Sequence, residues 1–248
     1  MKILVCLSHV PDTTSKINFT DNNTEFDSNG ITFVINPYDE FGLTRAMQLK
    51  ETLGGTVTVL NVGLLSTEPT LRKALAIGAD DAVRIDAEPT DASFVAKQIA
   101  NHVQDNNYDL IITGRESIDY NGGAVPGLLA GMLQLPFVNA CIGLELDGTK
   151  ATVSREIDGG KETLEGSLPM LIAGQKGLVD EKDLRIPAMR GIMMARKKPL
   201  NVVAATEATK HTSVSSFDLP EAKSACTMID ADNVEQLVEL LHNEAKVI

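Results

Sequence analysis

At 248 residues the chain is long for one ordinary domain of about 150 residues, and it can bury a sizeable core without disulfide or metal staples. Thirty-four acidic against 22 basic residues give a net charge of −12, which opposes phosphate polymers and excludes nucleic-acid binding by surface charge. The cysteines Cys6, Cys141 and Cys226 form neither a CxxC pair nor a zinc-spaced cluster, and their odd count argues against a secreted disulfide framework and leads us to expect a reducing, cytoplasmic setting.

The first apolar run, residues 2–7, stops at Ser8, His9, Val10, Pro11 and Asp12, too early for a secretory leader, and reads as a buried strand. Runs at 56–62, 82–86 and 108–113 are rich in Val, Ile and Leu and bounded by Gly, Asp or Asn, as expected of parallel strands buried on both faces. Helical spacing separates them: Phe41, Ala46, Leu49 and Leu53 in the first helix, Leu71, Leu75 and Ala76 in the second, Val95, Ile99 and Val103 in the third. The second helix meets its cap at Gly78. This alternation predicts a sheet built with right-handed crossovers.

Residues 121–144 carry no formal charge, yet Pro126, Gln134, Pro136, Asn139 and five glycines divide them into a loop, a short helix and a strand. No membrane insertion is expected. Beyond Pro136, residues 138–146, 151–157 and 162–164 read as strands joined by Asp-Gly turns, an antiparallel patch on the parallel sheet, and 168–173 as one more core strand. Residues 177–199 read as a long charged loop and 206–216 as a polar stretch without pattern. Over 233–246, Val234, Leu237, Val238 and Leu241 share one helical stripe that needs something to lean on. The fold class expected is α/β, a Rossmann-like, mostly parallel sheet flanked by helices, with an antiparallel extension and a C-terminal arm.

Open sheets of this kind bind ligands at the carboxyl ends of their strands, where the topology switches. No GxGxxG follows the first strand, and residues 143–150 lack both the Lys-Ser/Thr order and the helix start of a phosphate loop. A better candidate follows the strand that ends at Thr113: Gly114, Arg115, Glu116, Ser117, Ile118, Asp119, Tyr120, Asn121, Gly122, Gly123, Ala124 and Val125. Small residues let backbone N–H groups approach an anion, and a helix start adds donors and partial positive charge. Equally, Gly122 and Gly123 could only make a tight turn into a buried helix. Asn36, Pro37, Tyr38 and Asp39 form a second loop entering a helix, for which capping is the simpler reading.

Arg185, Arg190, Arg196, Lys197 and Lys198, with no acid among them, alternate with Ile186, Met189, Ile192, Met193 and Met194. That composition suits a docking surface for an acidic partner, or else a solvated basic loop whose apolar residues lie in the core. No catalytic constellation emerges, because His9, His102, His211 and His242 are scattered and none sits in an HxxxH pair. The charges of 155–162 read as solvent-facing pairs on a hairpin.

Several of these segments also occur together in one family, in the same order: VPD at 10–12, NP at 36–37, ALAIGAD at 74–80, GRESID at 114–119, REIDGG at 155–160 and IMMARKKP at 192–199. Through them the chain resembles the beta, or small, subunit of electron-transfer flavoproteins over essentially its whole length. The resemblance implies an adenine-nucleotide alpha-hydrolase-like fold, with a nucleotide-binding domain over 1–200 that includes a recognition loop at 177–199, and an arm over 201–248 whose helix packs on the alpha, or large, subunit.

It further implies an electron-carrier subunit that is not a self-sufficient catalyst. Such a subunit helps hold the FAD of the large subunit, binds AMP or a second FAD, and docks flavin-dependent dehydrogenases whose electrons pass to a downstream acceptor. The matching nucleotide positions are Cys6, Asn36, Pro37, Tyr38, Asp39, Val62 and Gly114 to Val125, with Thr13 and Tyr38 near the shared flavin. Ile186, Met189, Ile192, Arg196 and Lys197 match the docking loop, and Glu156 a charged residue facing the other subunit. Pro126 removes a backbone donor from the nucleotide loop, which leaves AMP and a second FAD both open. The competing expectation is a stand-alone adenine-nucleotide-binding module of the stress-protein type, a homodimer without flavin.

Overall fold

The computed structural model describes residues 1–223 and 225–248. Its first strand, β1 (Lys2–Cys6), buries Ile3, Leu4, Val5 and Cys6 in succession, which only a strand covered on both faces can do. Two short hairpins follow, one pairing β2 (His9–Pro11) with the later β5 (Phe33–Ile35), the other pairing β3 (Phe19–Thr20) with β4 (Glu25–Phe26). Then come α1 (Pro37–Leu53), β6 (Thr56–Val62), α2 (Glu68–Ile77), β7 (Asp81–Asp86), α3 (Ala92–Asp105), β8 (Leu110–Gly114) and α4 (Ala124–Leu133). The antiparallel extension is β9 (Phe137–Asp147), β10 (Lys150–Ile157) and β11 (Gly160–Ser167), after which β12 (Met170–Gly174) re-enters the sheet. The chain ends through α5 (Met189–Ala195), β13 (Leu200–Ala204) and α6 (Val234–Glu239), the last continued by a wider turn at Leu240–Glu244.

These strands form one nine-stranded sheet in the order β11-β10-β9-β12-β8-β1-β6-β7-β13, parallel from β9 to β13. The architecture is the α/β, mostly parallel and Rossmann-like fold that the alternation predicts. Ile3, Val5 and Leu7 join Leu43 of α1 and Leu71 and Leu75 of α2 in one core, while Leu4, Cys6 and Leu60 join Phe94 and Ile99 of α3 and Leu129 of α4 in the other. From β1 the chain steps outward to β6 and β7 with α1 and α2 on one face, then recrosses through α3 on the opposite face to β8. The switch point therefore lies between the carboxyl ends of β1 and β8.

Three expectations are corrected, and one region had no expectation to test. The 8–35 region holds two hairpins that the sequence does not announce, since their strands are only two or three residues long. The strand expected at 162–164 runs over the whole of β11, because each residue of it pairs in register with β10. Residues 177–199 are not a loop throughout but include α5, seated on α2. The expected boundary at 200/201 falls inside β13, which pairs with β7 as the sheet's edge, so the arm leaves the sheet only after Ala204. Among the described residues no helix is long and apolar enough to cross a membrane.

Candidate functional site

At the switch point one buried carboxylate ties three segments together. Asp39, in the first turn of α1 and 3% exposed, accepts the Ser8 N–H through Oδ2 at 2.6 Å and the Gly114 N–H through Oδ1 at 2.8 Å. The loops after β1 and β8 are thereby fixed to the start of α1. Burial pushes the Asp39 carboxyl up to about 7, against the donors of Ser8, Asn36 and Gly114, which pull it down. Gly114 has to be glycine, since a Cβ there would stand 2.3 Å from Asp39 Oδ1 and 2.9 Å from Tyr38 Cβ.

Asn36 is buried and occupies the cap position of α1, but its side chain does not cap the helix. Its Nδ2 donates to the Glu116 carbonyl at 2.8 Å, and its Oδ1 accepts the Ile118 N–H at 3.3 Å. The capping reading of Asn36 and Asp39 is therefore corrected: both side chains reach across to the loop after β8, where buried polar groups find partners that the helix start does not supply.

That loop closes on itself through reciprocal backbone bonds between Ser117 and Gly122 at 3.1 and 3.2 Å, with Asn121 in the left-handed region at φ +50°. Asp119 accepts the Ser117 hydroxyl and the Tyr120 N–H. Residues 119–124 are exposed, and among the described residues nothing lies within 4 Å of a Cβ built on Gly122 and no side chain caps α4. The first-turn donors that every helix start leaves unpaired are accordingly free of side-chain partners, apart from the N–H that Pro126 lacks. Cys6 and Val62, at the ends of β1 and β6, are buried in the α3/α4 core below. Burial, with the Asp39 charge second, raises the Cys6 thiol far above its ordinary range, so it offers no thiolate. The arrangement can present main-chain donors to an anion over an apolar floor.

A polar bridge that the sequence reading missed leaves this loop on its other side. Arg115 donates through Nη1 to Gln175 Oε1 at 2.8 Å, and Gln175, 4% exposed just past β12, donates through Nε2 to Glu156 at 2.5 Å. The Arg115 guanidinium also pairs with Glu116 at 3.2 Å and lies 5.8 Å from the Tyr38 ring centroid. A polar residue at the carboxyl end of an otherwise apolar strand was the available signal. Thr13 is exposed in the turn after β2, and among the described residues no hydrogen bond joins it to this group.

The structure does not bring the basic segment to the switch point. α5 sits against the C-terminal end of α2, and a Cβ on Gly191 would be 2.2 Å from the Ala76 carbonyl oxygen. Arg72 donates to the carbonyls of Ala195 and Lys198, both at 2.8 Å, Lys198 to that of Leu75 at 2.9 Å, and Arg185 forms a fork with Glu51. Of its apolar residues only Ala195 is buried within α5, whereas Ile186 is 83% and Met189 76% exposed, with Ile192, Met193 and Met194 exposed beside them. The alternative that these residues lie in the core is thus excluded.

Comparison with known proteins agrees with the segments in which the resemblance was found. The model of the electron transfer flavoprotein domain matches residues 24–208. The electron transfer flavoprotein subunit beta of Bacillus subtilis (strain 168) is 35% identical over an alignment of 263 positions covering the whole of both chains. That of Syntrophomonas wolfei is 35% identical over 252, covering 100% of this chain and 98% of the relative, and that of Homo sapiens 29% identical over 252, covering 97% and 98%. The chain belongs to the electron transfer flavoprotein family, and within it to the line of the beta subunits.

Proposed function

We propose that this chain is the small subunit of a heterodimeric electron carrier, paired with an alpha subunit whose FAD it helps to hold. The observation that carries the reading is end-to-end similarity to chains named as beta subunits, combined with a sheet switch point where the loop after β8 enters an uncapped helix start. A second polypeptide is supported by the arm, where Val234, Leu237 and Val238 are exposed on one stripe.

The switch point takes AMP or a second FAD. Its residues fit such a group: the uncapped start of α4 and the open space beside Gly122 suit a phosphate, and Val62 and Cys6 provide an apolar floor. Asp39 and Asn36 hold the loops in place through their side chains. A flavin in the complex supplies the one- and two-electron chemistry, and this chain supplies position and electrostatics, with Thr13 and Tyr38 nearest that partner group. Ile186, Met189, Ile192, Arg196 and Lys197 form the surface that docks dehydrogenases. Glu156 faces the alpha subunit, and the free cysteines suit a reducing cytoplasm.

Coexpression with the alpha subunit, followed by acid extraction and chromatography of the released nucleotides, tests the reading. FAD with AMP, or FAD in twofold amount, is the expected result. A homodimer that binds ATP and no flavin would replace it with the stress-protein reading.

A further inference from the structure

Beyond β13 the arm does not swing free. The Thr206 N–H donates to Gln98 Oε1 at 2.8 Å, its carbonyl accepts Gln98 Nε2 at 2.7 Å, and Ala208 packs on the α3/α4 core. His211 and Thr212 then donate their N–H groups to Asp91 Oδ2 at 2.6 and 3.3 Å, while Oδ1 of the same carboxylate caps α3 through the Phe94 N–H. Five residues further, Phe217 stacks on Phe19 with centroids 4.8 Å apart and planes at 6°, leans on Tyr120 at 6.4 Å, and donates its N–H to the Asn23 carbonyl at 2.7 Å.

These anchors fix a path. Asp91 marks the start of α3, beyond the carboxyl end of β7, and Tyr120 belongs to the loop beyond the carboxyl end of β8. β6 and β1 lie between them in the sheet. Three strand spacings amount to ~14 Å, and five extended residues reach at most ~17 Å. Residues 213–216 therefore pass from the β7 side of the sheet to the β8 side, across the carboxyl ends of β6 and β1, where Val62 and Cys6 close those strands. Between 209 and 223 Phe217 alone among the side chains is not exposed. It is also the lone Phe, Tyr or Trp between 205 and 233.

We propose that residues 205–217 are a strap across the switch point, latched by Phe217 against Phe19 and Tyr120, and that opening of this latch sets the rate at which nucleotide leaves. The second part rests on the nucleotide reading given above. Tyr120 sits on the loop that would hold the phosphate, so strap, hairpin β3–β4 and loop open together or not at all.

The test uses the coexpressed complex as wild type, Phe217→Ala and Phe217→Tyr, with exchange of bound nucleotide followed against labelled AMP and, separately, labelled FAD. Trypsin cleavage after Lys210, inside the strap, is measured on the same samples. Loss of two aromatic contacts should speed both exchange and cleavage by about tenfold or more, and Phe217→Tyr, which keeps the ring, should restore both. Equal cleavage in wild type and Phe217→Ala would overturn the strap. Faster cleavage with unchanged exchange would overturn its control of release. Wild-type complex without a second nucleotide would instead remove the nucleotide reading and the gating with it, while cleavage after Lys210 still decides whether the strap exists.

Discussion

Asp39 joins two loops that are far apart in sequence, and its burial shows in its proton affinity. The folded chain holds this proton up to about pH 7, whereas an unfolded aspartate releases it near ~3.9. Between those values the native state binds more protons than the unfolded one, so Asp39's contribution to stability is fully present below ~4, is lost as pH rises to about 7, and is level above. Asp39→Asn should lack that slope: the wild-type advantage in urea unfolding should be larger at pH 5 than at pH 8. It should also be less stable throughout by about 1–3 kcal/mol, since an amide NH2 would face the N–H of Ser8 or Gly114. An equal advantage at the two pH values would mean that the carboxyl titrates normally.

Gln175 is a second case of action at a distance. Arg115 can only donate and an ionised Glu156 can only accept, so the Gln175 amide between them has one allowed orientation. Gln175→Leu should cost about 1 kcal/mol in denaturant unfolding, since water recovers part of what the two charged partners lose, and should weaken nucleotide retention. Unchanged values for both would take the bridge out of the site. The glycine-rich run from Gly114 was legible because small residues before a helix have local meaning. The roles of Asp39, Gln175 and Phe217 were not, since each depends on partners brought near only by the completed sheet.

Among elements, the central strands announced themselves by apolar runs that no alternation interrupts, a pattern produced by helices on both faces. β13 did not, because an edge strand with Val202 and Val203 exposed carries half of that signal. α5 was hidden for the opposite reason: its apolar side chains point outward, and its seat on α2 is made by a glycine and an alanine. That inversion separates two substitutions. Met189→Ala should leave the melting temperature and bound flavin unchanged and slow electron uptake from a dehydrogenase, as stopped-flow flavin reduction would read. Gly191→Ala puts a methyl 2.2 Å from the Ala76 carbonyl oxygen and should lower the melting temperature as α5 lifts from α2. Equal reduction rates in Met189→Ala would remove that side chain as an anchor.

For the whole molecule, the two proposed working surfaces lie at opposite ends of the sheet. The nucleotide site is at the carboxyl ends of the strands, whereas α5 rests on the C-terminal end of α2, next to the amino end of β7. The arm completes this layout, since the sheet closes with β13 and no residue of α6 or of the turn after it is buried. Ending the chain at residue 232 should therefore remove no core contact and change unfolding free energy by less than about 0.5 kcal/mol. It should nevertheless expel the alpha subunit, because Val234, Leu237 and Val238 have no other surface to cover them among the described residues. Size-exclusion chromatography of the coexpressed pair separates these outcomes. A truncated chain that still elutes with its partner would place the subunit contact on the body of the sheet, and a truncated chain that unfolds would make the arm part of the core.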